Sequence, residues 1–282
     1  MARSGWNAVA PQVLPPLRLG ERLRLGLRAA WAALALLVLF GLFLPLRAID
    51  RLLERLAGRP LTALGPATVQ LWAAQALPTL GLRFVRHGTP LTGGGAFVAN
   101  HASWIDIIAL QRAAAPFLVS KAEVRDWPGI GLIGSAIGTM FIDRRPTEAR
   151  RQEAALYARL ARGDRMALFP EGTSSDGQRV LPFKSSLFSV FFAPALAGTV
   201  AVQPVTIVYR PRPGLPPSFY GWWGEMEFAD HLRDVLARST GGTVTVTFHP
   251  PLALADHPDR KTLASAAEAA VRSAFAPGDP GT

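Results

Sequence analysis

His101 and Asp106 stand five residues apart in Asn100-His101-Ala102-Ser103-Trp104-Ile105-Asp106. An imidazole with an orienting carboxylate is the minimum equipment for removing a proton from a hydroxyl. On one continuous helix a five-residue separation puts two side chains on different faces. The pair can meet only if His101 lies in a turn and Asp106 in the first turn of a helix. The flanks allow this. Residues 96–99 are a short apolar run that reads as a buried strand, and residues 105–110 read as the start of a helix. A strand-to-helix turn is where open α/β sheets present their reactive groups. Ser103 is a candidate N-cap, which puts Asp106 at N3. A second reading stands beside this one. Ser103-x-x-Asp106 is also a capping box, in which Asp106 only favours the helix start.

A second segment bears on that choice. Residues 166–169 form another buried-strand run, followed by Pro170-Glu171-Gly172-Thr173-Ser174-Ser175-Asp176-Gly177. Proline, glycine and clustered hydroxyls mark a turn whose backbone can approach a ligand closely, although an ordinary polar loop has the same composition. Taken together, the segments resemble the glycerolipid acyltransferase family, whose signature is Asn-His-x4-Asp followed by Phe-Pro-Glu-Gly-Thr. Both stand unbroken here, at 100–106 and 169–173. Gly138-Thr139-Met140-Phe141-Ile142-Asp143-Arg144 looks like the family's second block. Val202-Gln203-Pro204-Val205 looks like its fourth, and Phe183-Lys184 resembles a further stretch. The resemblance spans roughly residues 80 to 210, with the blocks in the family's order.

The resemblance implies transfer of a fatty acyl group from an acyl thioester to the free hydroxyl of a lysolipid. His101 would be the general base and Asp106 would hold its other ring nitrogen, the logic of a triad without a protein nucleophile. Gly172 and neighbouring amides would stabilise the oxyanion. Asn100, Arg144, Glu171, Gly172, Thr173 and Lys184 would bind substrate, with Arg144 pairing to phosphate through its planar fork. No cysteine is present, so a cysteine acyl-enzyme is excluded. No Gly-x-Ser-x-Gly elbow surrounds Ser103, Ser174 or Ser175, which argues against a serine hydrolase. The reaction calls for no cofactor, and His87, His231, His249 and His257 lack metal-ligand spacing and read as surface or packing residues.

One position departs from the family. Relatives with a phosphate-bearing acceptor often continue as Glu-Gly-Thr-Arg-Ser, whereas this chain has Ser174 at the arginine position. Arg179 or Lys184 would then supply the missing cation. Alternatively, the acceptor lacks a phosphate monoester, as lyso-ornithine lipid does. The stretch from Tyr220 to Phe228 with His231-Leu232 also looks like the bacterial subgroup that acylates that aminolipid, although a tryptophan pair also suits packing or an interfacial belt. The expected acceptor is 1-acyl-sn-glycerol-3-phosphate, giving phosphatidic acid. Lyso-ornithine lipid is the alternative, and a non-catalytic lipid-binding protein of the same fold is the rival from another class.

Composition points to a membrane. The 282 residues carry a net charge of +10, with 27 Arg against 3 Lys, and mean hydropathy is positive. No basic stripe interleaved with aromatics appears, so nucleic acid is not an expected partner. An anionic membrane surface or an acidic acyl carrier protein suits the charge; acyl-CoA is the other donor. Residues 29–46 are eighteen uncharged residues bracketed by arginines. As a helix they extend about 27 Å, just short of a ~30 Å hydrocarbon core. A single span, a re-entrant hairpin and a monotopic anchor all fit. The catalytic part is expected to face the cytoplasm from the cell inner membrane, because thioester donors are cytoplasmic.

The rest reads as alternating strand and helix. Strands are expected at 82–86, 95–99, 116–120, 138–142, 165–169, 200–208 and 243–248. Helices are expected at 104–113, 128–136, 147–162, 184–193, 229–238 and 261–274. The fold class is therefore α/β: a single sheet of about seven mostly parallel strands with helices on its faces, plus an N-terminal membrane-anchoring helix. Residues 1–80 form the anchor and a helical connector, in which 71–77 would lie on the membrane surface. Residues 81–276 form the acyltransferase domain, and 277–282 a frayed tail.

Overall fold

The computed structural model describes residues 10, 13–57, 64–126, 131, 134–135, 137–142, 148–196 and 198–276. Seven strands form one sheet: β1 (Leu82–His87), β2 (Gly95–Ala99), β3 (Phe117–Lys121), β4 (Met140–Ile142), β5 (Arg165–Leu168), β6 (Ala201–Arg210) and β7 (Gly242–Phe248). Their order is β1-β7-β6-β2-β5-β3-β4. Every pairing is parallel except β6 with β7. β2 is buried at all five positions and β6 at its eight inner ones. Strands covered on both faces need such continuous apolar runs. Pro204 is tolerated within β6 because the β6–β7 ladder starts only at Val205.

Helices cover both faces. On one side α2 (Leu64–Thr79), α3 (Ile105–Ala114) and α5 (Phe228–Arg238) pack on Phe97, Ala99 and Ala167. On the other, α4 (Ala149–Ala161), α6 (Arg260–Ser273) and a 3-10 segment (Ser185–Phe192) pack on Ala96, Val98 and Met166. The 3-10 segment replaces the α-helix expected at 184–193. The helix expected at 128–136 falls mostly outside the described residues, as does the tail expected at 277–282.

This arrangement makes a crevice at the carboxyl ends of β2 and β5. The chain leaving β2 runs into α3 on one face, whereas the chain leaving the adjacent β5 runs into the 3-10 segment on the opposite face. Neighbouring strands whose connections depart to opposite faces leave a gap between the two outgoing loops. The two motif segments are those loops.

The N-terminal helix α1 (Leu19–Ala57) is longer than the expected eighteen-residue stretch and contains Pro45. Its 39 residues extend about 58 Å. Residues Leu19–Asp50 are long and apolar enough to cross a membrane, with little of that stretch buried in the protein. Leu39 and Phe43 pack on Val69 of α2. The start of α1 is fastened to the α/β domain. Arg24 donates to the Ala237 carbonyl (2.8 Å), and Arg28 to those of Leu236 (3.0 Å) and Ser239 (2.7 Å). These are orphan carbonyls at the end of α5, where a cation is favoured. Arg238 replies with contacts to Glu21 and the Pro15 carbonyl. The first turns of α1 are therefore tied to the α/β domain. The segment 71–77 has one face in the domain core. Ala73 and Leu77 are fully buried in the domain core, and Leu71 stays exposed.

Candidate active site

His101 lies in the loop after β2, and Asp106 in the first turn of α3, as the five-residue spacing requires. His101 Nδ1 and Asp106 Oδ2 are 2.7 Å apart. Asp106 is fully buried, while the His101 side chain is 20% exposed. Asp106 Oδ2 also accepts the amides of Ala102 (2.8 Å) and Ser103 (2.9 Å), and Oδ1 accepts the Tyr209 hydroxyl (2.6 Å). The carboxylate thus serves the backbone turn and the imidazole together, so the two sequence readings of Asp106 are compatible. Ser103 does not cap the helix. Trp104 is the N-cap residue and makes no side-chain cap bond, and the buried Ser103 Oγ has no partner.

A carboxylate accepting from Nδ1 puts the ring proton there and leaves the Nε2 lone pair open. The ring itself is clamped: Phe169 stacks on it at 4.1 Å between centroids and 20° between planes. The loop is held from below by the Glu-Gly-Thr segment. Glu171 Oε1 accepts the His101 amide at 3.0 Å, and the His101 carbonyl accepts the Ser175 amide at 2.9 Å. Asn100 ties the same loop to β6, with Nδ2 donating to the Ile207 carbonyl and Oδ1 accepting the Ile207 amide, both at 2.8 Å.

Asn100 and Glu171, expected to bind substrate, are 1% and 2% exposed. Their described partners are backbone groups of the protein, so they shape the His101 loop from inside. Burial is the first cause of a Glu171 pKa raised to about 8; Asp106 adds to the rise, and the His101 and Leu181 amides and Arg272 oppose it. Glu171 Oε2 is buried without a partner. A neutral acid fits that place better than an anion. Tyr209 is also pushed up, by burial first and then by Asp106, which keeps it a phenol and a donor.

The turn differs from expectation at Gly172. Its φ of +70° suits glycine, but its amide donates to the Phe169 carbonyl at 3.0 Å. That amide is spent on the turn. The amides of Thr173 and Ser174 make no hydrogen bond among the described residues. A Cβ at Gly172 would meet Lys184 Nζ at 2.5 Å, so the exposed ammonium lies over the turn. Arg179 is engaged elsewhere, donating to both Asp176 oxygens at 3.2 and 2.9 Å. Of the two substitute cations, Lys184 is the one beside the turn. Arg144 lies outside the described residues.

Sequence reasoning missed two partners. Tyr209 sits 103 positions from Asp106, and only the β6–β2 pairing brings it near. His231, read as surface or packing, is buried: its Nδ1 accepts Trp104 Nε1 (2.9 Å) and its Nε2 donates to the Phe219 carbonyl (3.2 Å). Burial lowers its pKa to about 4, so it stays neutral. An open groove of about 470 Å³ lined by Tyr157, Ser189 and Phe192 contains none of the motif residues.

The sequence itself matches known proteins. The general acyltransferase family model matches residues 82–208. A lyso-ornithine lipid O-acyltransferase of Rhodobacter capsulatus is 44% identical over 273 residues, 97% of this chain and 98% of the relative. The chain belongs to the acyltransferase family. A 1-acyl-sn-glycerol-3-phosphate acyltransferase of Neisseria gonorrhoeae is 34% identical over 147 residues, 51% of this chain and 54% of that one. The crystal structure of a 1-acyl-sn-glycerophosphate acyltransferase from Thermotoga maritima shares the fold, with a TM-score of 0.64 at 21% identity, covering 90% of this chain and 96% of that one. This acyltransferase is accordingly of the lysolipid type, with an acyl donor and a lysolipid acceptor.

Proposed function

We propose that this acyltransferase esterifies lyso-ornithine lipid, the alternative acceptor of the sequence reading, rather than 1-acyl-sn-glycerol-3-phosphate. The observation that carries the choice is coverage. The likeness to a lyso-ornithine lipid enzyme runs through 97% of the chain, whereas that to the Neisseria lysophosphatidate enzyme covers half. The site agrees. Ser174 leaves the phosphate-directed arginine absent, and Arg179 is held by Asp176.

In the proposed mechanism the acceptor hydroxyl docks at His101 Nε2. Its oxygen attacks the thioester carbonyl while its proton passes to Nε2. Asp106 stabilises the resulting imidazolium through Nδ1–H. The Thr173 and Ser174 amides hold the carbonyl oxygen as it becomes an oxyanion. The carbon–sulfur bond then breaks, the thiolate takes the proton from the imidazolium, and the ester leaves. Lys184 binds a carboxylate on the acceptor or a phosphate on the donor; Asn100 and Glu171 position the loop. The domain works at the inner-membrane surface, facing cytoplasmic thioesters, with α1 in the bilayer.

The test is acyl transfer from a labelled acyl thioester to lyso-ornithine lipid in membranes carrying the full chain or His101→Ala. Loss of the base is expected to lower the rate ~10²–10⁴-fold with the fold retained. An equal rate in the variant removes the mechanism.

A further inference from the structure

The loop of residues 219–228 lies against the outer side of the His101 loop. The Trp222 amide donates to the Ala102 carbonyl at 2.8 Å. Gly221 rests so closely on the Asp176 backbone that a Cβ there would be 2.7 Å from the Asp176 carbonyl oxygen. Three rings gather where this loop meets the start of α3. Phe228 lies 5.4 Å from Trp104 at 72° and 6.3 Å from Trp222 at 87°. All three are half-buried rather than buried. Both indole N–H groups are used internally, Trp104 on His231 and Trp222 on the Met226 carbonyl at 2.8 Å. What the two indoles leave at the surface is therefore ring carbon in fixed orientation.

The loop that carries Trp222 also carries two carboxylates. The protein carries +10 overall, yet Glu225 and Glu227 are exposed here and make no ion pair among the described residues, unlike Asp230, which holds Arg233 at 2.8 Å. An oriented aromatic face with carboxylates beside it is a cation site. Packing alone does not call for half-exposed indoles, and an interfacial belt does not call for free carboxylates.

We propose that the Trp104, Trp222 and Phe228 ledge, with Glu225 and Glu227 at its edge, binds the ammonium group of the acceptor's head group. This rests on the lyso-ornithine reading and deepens it. The ornithine head group carries an ammonium at one end and a carboxylate near the other. Lys184 over the Gly172 turn and the ledge beside Ala102 offer that head group two contacts of matching charge. Lysophosphatidate offers nothing to the ledge.

The test compares lyso-ornithine lipid with the same lipid acetylated on its side-chain amine, using the full chain in membranes and a labelled acyl thioester. Wild type is expected to have a lower KM for the charged acceptor. Glu225→Gln/Glu227→Gln, and separately Trp222→Leu, are expected to raise that KM about fivefold while leaving turnover of the acetylated lipid unchanged. The acetylated lipid thus reports whether each variant is folded, and the two exposed glutamates serve if Trp222→Leu fails to fold. Equal KM values for the two lipids in wild type, or variants that lower both activities together, overturn the ledge proposal. Absence of any wild-type activity on either lipid, with activity on lysophosphatidate, instead overturns the lyso-ornithine reading.

Discussion

Tyr209→Phe removes one oxygen and tests whether Asp106 works as an anchored unit with His101. The hydroxyl donates to Asp106 Oδ1 at 2.6 Å inside a site where Asp106 is wholly buried. Among the described residues Tyr209 is the donor to that oxygen, whereas Oδ2 keeps three others. A hydrogen bond to a charged group is worth about 1.5–3 kcal/mol, and an abandoned buried acceptor costs a similar amount. The variant should therefore lose about 2 kcal/mol of stability, an apparent Tm decrease of about 4–8 °C. Tyr209 does not touch the acceptor, so the kinetic loss belongs in kcat, with KM little changed. A carboxylate freed on one side lets the imidazole wander, and a tenfold loss corresponds to about 1.4 kcal/mol of lost orientation. Asp106→Asn removes the negative charge that stabilises the imidazolium and should cost far more, about 10⁴-fold. In the double variant the Tyr209 substitution should then add almost nothing, because residues acting as one unit are non-additive. Acyl-transfer kinetics in reconstituted membranes, with thermal unfolding in detergent, measure both effects. Full additivity of the two losses, or an unchanged kcat in Tyr209→Phe, would refute the reasoning.

Glu171→Gln should keep activity within about tenfold at pH 7, because a neutral amide mimics the protonated acid and still accepts the His101 amide; Glu171→Leu, which cannot, should lose more. The wild-type Glu171 pKa is raised to about 8 against an unfolded value near 4.5. Its contribution is present below pH 4.5 and lost as pH rises through 8, so Glu171→Gln should lose less stability across that range; matching curves would count against a neutral Glu171. His231 works in the opposite direction. Its folded pKa of about 4 lies below the unfolded 6.5, so stability is present above pH 6.5 and declines toward pH 4 by up to ~1.4 kcal/mol per unit. Thermal scans should show a shallower acid decline in His231→Gln, and parallel curves would contradict it. Deleting residues 1–46 should remove the main membrane attachment, leave salt-sensitive surface binding, and lower the domain's Tm, because Arg24 and Arg28 no longer cap α5; recovery of a fully soluble protein with unchanged Tm would refute both parts.

What the sequence made legible was local. The strands are short apolar runs between turn residues, and a buried parallel sheet demands that pattern, so β1 to β7 fall within two residues of expectation. The His101–Asp106 contact was legible because the five-residue spacing leaves one local geometry that closes it. The donors around Asp106 were not. Tyr209 is one of many apolar-flanked residues on β6, and nothing within its own strand marks its hydroxyl as aimed at residue 106. Trp104 and His231 stand 127 positions apart and meet only in the tertiary fold, and the preference for Ser at an N-cap misplaced Ser103 because the Asp106 carboxylate had already taken the loop amides. The extent of α1 was hidden for a different reason. Its charged first turns look like a polar flank, and their partners are carbonyls at the end of α5, more than 200 residues away.

The most direct test of the whole account is a competition. Lyso-ornithine lipid and 1-acyl-sn-glycerol-3-phosphate are offered together at equal concentration to membranes carrying the full chain, with one labelled acyl thioester and His101→Ala as control. Label should accumulate in ornithine lipid over phosphatidic acid, with none bound covalently to the protein and transfer in the control lowered ~10²–10⁴-fold. Preferential labelling of phosphatidic acid, or label retained on the protein as an acyl-enzyme, would contradict it.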